Sequence, residues 1–234
     1  MKFRYLFVLS FIALWMSSCS IQQHVHFNRN LSGSVTTTID ISMLKTLMSQ
    51  MQGDSTMNAP GMPNMDTMMD SISKSPEMDK IKEIKGISNV KMKVDKKTSM
   101  ITMSYDFKNI DALNRAMTQG GTGSPGGGLG MMSQQMPQSQ VPKDFKYFTK
   151  KGRYITFKMP DSKLPKEMEE GMKQNPMMSG DMMRFEYKIS FARKIKKVDT
   201  KNNIFKSDNY IEYKTNFQEL MQDPKPVEVK IKYR

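Results

Sequence analysis

Strict alternation of apolar and polar residues bounds this chain more tightly than any other feature. Phe185, Tyr187, Ile189 and Phe191 alternate with Glu186, Lys188 and Ser190. Ile101, Met103, Tyr105 and Phe107 alternate with Thr102, Ser104 and Asp106, and Val227, Val229, Ile231 and Tyr233 repeat the pattern late in the chain. Successive side chains of an extended backbone point to opposite faces, so each run reads as a strand with one buried and one wet side. That one-faced pattern belongs to antiparallel sheets. Local turns supply the pairing. Val25 and Phe27 lead through Asn30-Leu31-Ser32-Gly33 into Val35, Thr37, Ile39 and Ile41, a β-hairpin. A second hairpin joins Val90, Met92 and Val94 to Ile101–Phe107 across Asp95–Thr98. A third runs from Phe145 and Tyr147 through Lys150–Arg153 to Ile155, Phe157 and Met159.

Helical spacing appears between these runs. Ser42 caps a segment with Leu44, Leu47, Met48 and Met51 on one face. Pro76 opens another, with Met78, Ile81 and Ile84 apolar and Gly86 just beyond its end. Asn109 caps a third, in which Ile110, Leu113 and Met117 recur at three and four. Leu164 to Gln174 reads as a charged helix and Phe217 to Met221 as a helical turn. The expected class is α+β: an antiparallel β-sheet built from hairpins, with short amphipathic helices on one face. Stretches at about 53–75, 120–141 and 175–181 carry Met, Gly, Ser, Pro and Gln without a period, and are expected to be flexible insertions in one domain over 19–234. Only 38% of residues are apolar while 26 are Met, so the core is expected to be modest. The first two hairpin-plus-helix blocks place Thr38-Ile39-Asp40-Ile41 and Ser104-Tyr105-Asp106-Phe107 alike, which suggests one design used twice.

The start of the chain has a separate logic. Lys2 and Arg4 precede an apolar run, Leu6 to Met16, too short to span a hydrocarbon core but suited to a secretion signal. Met16-Ser17-Ser18-Cys19 resembles the bacterial lipobox. That resemblance implies a signal peptide over 1–18, cleavage before Cys19, a diacylglycerol thioether on its sulfur and an acyl chain such as palmitate on its new amino group. Cys19 is the only cysteine, so no internal disulfide is available to explain it. The expected setting is a Gram-negative outer membrane. Ser20-Ile21-Gln22-Gln23 carries no acidic residue after the cysteine, which leans the expectation toward the periplasmic side.

The formal charge is +13, with Lys2 and Arg4 lost with the leader. Such a field favours anionic lipid or glycan, although a lysine-rich solvated surface would give the same balance. Nucleic acid is not expected behind a secretion signal. Thioethers are soft ligands for Cu(I) or Ag(I), and Met62-x-x-Met65-x-x-Met68 has a suitable spacing, which makes a Met-rich periplasmic metal binder the alternative reading. The bland account is that loops drift to Met. His24 and His26, the only histidines, are two ligands where a catalytic zinc site wants three, and are read as exposed side chains near the membrane. Gly121-Thr122-Gly123-Ser124-Pro125-Gly126 matches a dinucleotide pattern by letter but follows a helix, so its mechanism is absent. Asp54-Ser55-Thr56, Asp66-Thr67-Met68 and Asp70-Ser71-Ile72 resemble O-glycosylation sequons. No catalytic residue is nominated and no cofactor is expected.

A hairpin just after a lipobox, a large insertion, and a late strand leading into Ile195-Lys196-Lys197-Val198, Asn202-Asn203 and Tyr210-Ile211-Glu212-Tyr213 together resemble the LppM-like bacterial lipoproteins. The likeness covers His26 to Ile41 and Phe185 to Thr215. It implies an antiparallel sheet with helices, and lipid or glycolipid binding. The Pro-Gly usual after the late strand is replaced here by Arg193-Lys194 or Lys196-Lys197, and the usual Trp by Tyr213, so only Cys19 carries over as a functional residue. The function expected is a membrane-anchored envelope lipoprotein with a binding or structural role, and not an enzyme.

Overall fold

The computed structural model describes residues 19–42, 45–46, 70, 76–119, 141–142, 144–160, 183–216, 218–219 and 227–234. The strands are β1 (Cys19–Phe27), β2 (Gly33–Asp40), β3 (Ile87–Asp95), β4 (Met100–Phe107), β5 (Phe148–Lys151), β6 (Tyr154–Lys158), β7 (Met183–Phe191), β8 (Ile195–Thr200), β9 (Phe205–Lys206), β10 (Tyr210–Asn216) and β11 (Glu228–Tyr233). They form two sheets. One has seven strands in the order β3-β4-β2-β1-β7-β10-β9, the other four in the order β5-β6-β11-β8.

All three expected hairpins form, at β1/β2, β3/β4 and β5/β6. Their turns pass through the left-handed region, where L side chains are uncommon, one of them at a glycine and another at a leucine. Leu31 (φ 65°) and Gly152 (φ 60°) take left-handed conformations, and Asn28 N–H closes the first loop onto Ser32 O at 2.7 Å. Asn89 (φ 53°) sits in a bulge of β3, and its side-chain amide donates to Asp106 at 2.6 Å. The sequence expectation departs from the structure in two ways. The strands divide between two sheets, and β1 pairs with β7 in parallel, from Cys19↔Met183 to Phe27↔Phe191. A half-buried strand alternates identically in either sheet and in either direction, so alternation could not have told these apart.

The inner faces of the sheets meet through aromatic rings. Phe27 lies 5.5 Å from Phe107, 5.4 Å from Phe148 and 5.3 Å from Phe191, so one side chain joins β1, β4, β5 and β7. Phe157 reaches Tyr187, and Phe191 stacks on Tyr233 at 6.2 Å. Burying rings of this size contributes roughly 1.5–3 kcal/mol each. Among the described residues two helices exceed a few residues, α1 (Pro76–Lys82) and α2 (Ile110–Gln119). Two of the expected helix starts hold, with Pro76 the first residue of α1 and Asn109 Oδ1 accepting from Ala112 N–H at 2.9 Å. Gly86 (φ 93°) lies in the turn after α1. At Ser42 the cap is instead Asp40, whose Oδ1 accepts Ser42 N–H at 2.9 Å. α2 buries Ala112, Leu113, Ala116 and Met117. The expected Leu164–Gln174 helix, most of the Ser42 and Phe217–Met221 segments, and the insertions at 53–75, 120–141 and 175–181 lie almost wholly outside the described residues.

Candidate functional site

Cys19 is the first residue of β1, and β1 lies inside the seven-stranded sheet between β2 and β7. Ser20 is in register with Asp40 and with Arg184, and Arg184 with Asn216. One end of the sheet is therefore made from Cys19, Asp40, Met183 and Asn216, and the opposite end from Phe27, Gly33 and Phe191. Ladder bonds begin at the cysteine itself, so nothing in the way of a spacer separates it from the sheet.

The outer face of the same sheet carries the titratable side chains. Alternation in β1 buries Ile21, Val25 and Phe27 and turns His24 and His26 outward. The parallel partner β7 turns out Glu186, Lys188 and Ser190, which the register sets beside Gln22, His24 and His26. Ser190 Oγ lies 2.7 Å from His24 Nε2 and 2.9 Å from His26 Nδ1. A hydroxyl has one proton to give, so it donates to one ring nitrogen and accepts N–H from the other. The shared hydroxyl thereby ties the two rings to one point on β7. Burial, then the Lys188 ammonium, then His26 push the His24 pKa below its ordinary value near 6.5. Ser190 is only 8% exposed beneath the two rings, a placement suited to fixing them rather than to attacking a substrate.

Charged groups continue the row. Lys188 Nζ sits 4.5 Å from the Tyr210 ring centroid, a cation–π contact across β7 and β10. Lys214 Nζ reaches Glu186 at 3.6 Å and Glu212 at 3.5 Å. Burial and a hydrogen bond with Glu212 raise the Glu186 pKa above the ordinary carboxylate value, against the pull of Lys214. The face thus offers fixed imidazoles, hydroxyls and a carboxyl pair: hydrogen-bonding groups for a polar ligand.

Of the residues singled out from sequence, the structure places Cys19, His24 and His26 on one strand. Along a strand rising about 3.3 Å per residue, His26 stands roughly 23 Å from Cys19, not beside it. Met62, Met65 and Met68, the glycosylation-like Asp54, Ser55, Thr56, Asp66 and Thr67, and the leader 1–18 lie outside the described residues. Among the described residues no group of three or more His, Cys, Asp or Glu converges as a metal site, and no helix is long and apolar enough to cross a membrane. Ser190, Lys188, Glu186, Glu212 and Lys214 escaped the sequence reading. Their alternation was visible, but their meeting with β1 rests on a pairing between strands more than 150 residues apart.

No protein-family model and no curated protein matches the chain. A solved structure similar to it is the NMR structure of the folded domain of Mycobacterium tuberculosis LppM, at 8% identity and a TM-score of 0.36, covering 93% of this chain and 91% of that one. A likeness of that strength bears no weight for ligand or activity.

Proposed function

We propose that this chain is a membrane-anchored cell-envelope lipoprotein that binds or scaffolds, with anionic lipid or glycan as its target class. Residues 1–18 act as the signal peptide, and lipid on Cys19 holds the protein in the outer membrane facing the periplasm. The observation that supports this reading is the position of Cys19. It combines a lipobox-like context with the first rung of an interior strand, so an acyl anchor there would fasten the whole sheet to the bilayer end-on. Two or three acyl chains at ~0.8 kcal/mol per buried CH₂ make such an anchor durable. The test is intact-mass analysis of protein from its native membrane, beside fractionation of the Cys19→Ser variant. The expected result is a chain starting at residue 19 with added acyl mass, and a variant that leaves the membrane fraction. An unmodified chain that still carries its first 18 residues would overturn the reading.

A further inference from the structure

The outer face of the four-stranded sheet breaks a rule of strand pairing. Lys232 of β11 stands directly opposite Lys197 of β8, and like charges so placed are destabilising. Across β11 the same residue pairs with Tyr154 of β6, and Tyr154 pairs with Lys151 of β5. One row perpendicular to the strands therefore reads Lys151, Tyr154, Lys232, Lys197, spanning about 14 Å at ~4.8 Å per strand. Lys230 extends it: its ammonium lies 4.9 Å, and that of Lys232 5.2 Å, from the Tyr154 ring centroid. A bulge in β8 adds to the cationic character. Tyr233 pairs with Ile195 while Lys232 pairs with Lys197, so Lys196 is the extra residue. Ile195 stays buried and both lysines stay exposed. The acids close by are Asp199, opposite Lys230, and Glu228, which is already bonded to Lys158 at 2.9 Å. Neither residue that faces Lys232, Tyr154 on one side or Lys197 on the other, is an acid that would offset this repulsion.

The position of the row matters as much as its charge. Tyr233 N–H donates to Arg153 O at 3.2 Å, Arg234 N–H to Lys194 O at 3.0 Å, and Ala192 N–H to Phe27 O at 2.8 Å. These bonds place the Lys232 end of the row at the Phe27 pole, opposite Cys19. A bilayer holding a lipid on Cys19 cannot also lie against that pole.

We infer that the outer face of the four-stranded sheet, through Lys151, Arg153, Lys197, Lys230 and Lys232 around Tyr154, binds an acidic polysaccharide on the side away from the anchor. The straight row suits an extended polyanion crossing the strands. Threonines 149 and 156, paired beside it, add hydroxyls for sugar hydrogen bonds. The inference deepens the glycan branch of the proposed function, and it takes its position from the anchor proposed there.

The experiment uses the full-length protein in neutral detergent, with polygalacturonate as the acidic probe and dextran as the neutral one. At low salt the protein should bind polygalacturonate and not dextran, with affinity falling as salt rises. Lys197→Glu/Lys232→Glu should weaken it more than tenfold. Lys91→Glu/Lys93→Glu, the same charge change on β3 of the other sheet, should leave it within about twofold. Equal losses from both double variants, equal binding to dextran, or no binding at all would overturn the inference. So would tighter binding of phosphatidylglycerol vesicles or duplex DNA through this face. Cys19→Ser should bind polygalacturonate like the parent, so failure of the anchor and failure of the glycan face would be read separately.

Discussion

Asn114 shows how much a single polar residue can hold. It sits on α2, buried, and its side chain makes both bonds an edge strand needs: Nδ2 donates to Phe148 O at 2.8 Å, and Oδ1 accepts Phe148 N–H at 2.9 Å. Asn114→Ala leaves both backbone groups of Phe148 buried without partners and should cost about 2–4 kcal/mol, measured by urea unfolding. Asn114→Asp should be no milder, since it keeps the acceptor but turns an anion on the Phe148 carbonyl; a near-neutral Asp variant would show that the donor bond contributes nothing. His24 predicts a pH dependence. Its folded pKa is depressed by burial, Lys188 and His26, so an unfolded chain binds protons more readily than the native one as pH falls below about 6.5. Stability should therefore drop on acidification through that window. Glu186 acts in the opposite sense, since a raised carboxyl favours the fold at low pH and that help fades as pH rises through its folded pKa. His24→Gln should flatten the drop between pH 7 and 5.5 in unfolding midpoints, and an unchanged slope would assign it to other groups.

At the scale of elements, local order was legible and long-range order was not. Gly33 illustrates the legible part, being the last residue of the Asn30–Gly33 turn expected from sequence. In the structure it starts β2 opposite Phe27, and a Cβ there would collide with the His26 carbonyl oxygen and crowd the Phe107 ring. Gly33→Ala should destabilise by about 2–3 kcal/mol and weaken β1/β2 pairing first, seen as faster amide exchange at His26 and Ser34, which face each other across that pair, than in the parent. Equal exchange would mean the strands part by a small shift. The Asn109 cap and the turns at 95–98 and 150–153 were readable for the same reason: their chemistry lies within four residues. β8 was not readable. Its basic composition masked the inward-facing Ile195 and Val198, and its bulge puts two lysines outward in succession, which breaks the alternation that identifies a strand. The meeting of His24 and His26 with Ser190 was hidden differently, because each strand looks ordinary alone.

For the whole molecule, the two sheets share one aromatic core, so the poles of the seven-stranded sheet are also poles of the body. β1 spans about 26 Å from Cys19 to Phe27 at ~3.3 Å per residue. If Cys19 carries the lipid, the pole with Lys97 and exposed Met100 lies at the bilayer, and the pole with Arg153 and Lys194 lies a strand length away. A rigid attachment at a ladder residue should preserve that order, whereas a long flexible tether would average it out. Because Cys19 is the sole cysteine and its sulfur would be alkylated, single cysteines at other positions can be labelled cleanly. In liposomes doped with a headgroup acceptor dye, a donor on Lys97→Cys should transfer energy strongly and one on Arg153→Cys weakly. Inserting a ten-residue Gly/Ser spacer after Ser20 should bring the two signals together. Equal transfer from both positions in the parent would show that the body lies on its side, and would bring the cationic face within reach of the membrane instead of holding it away.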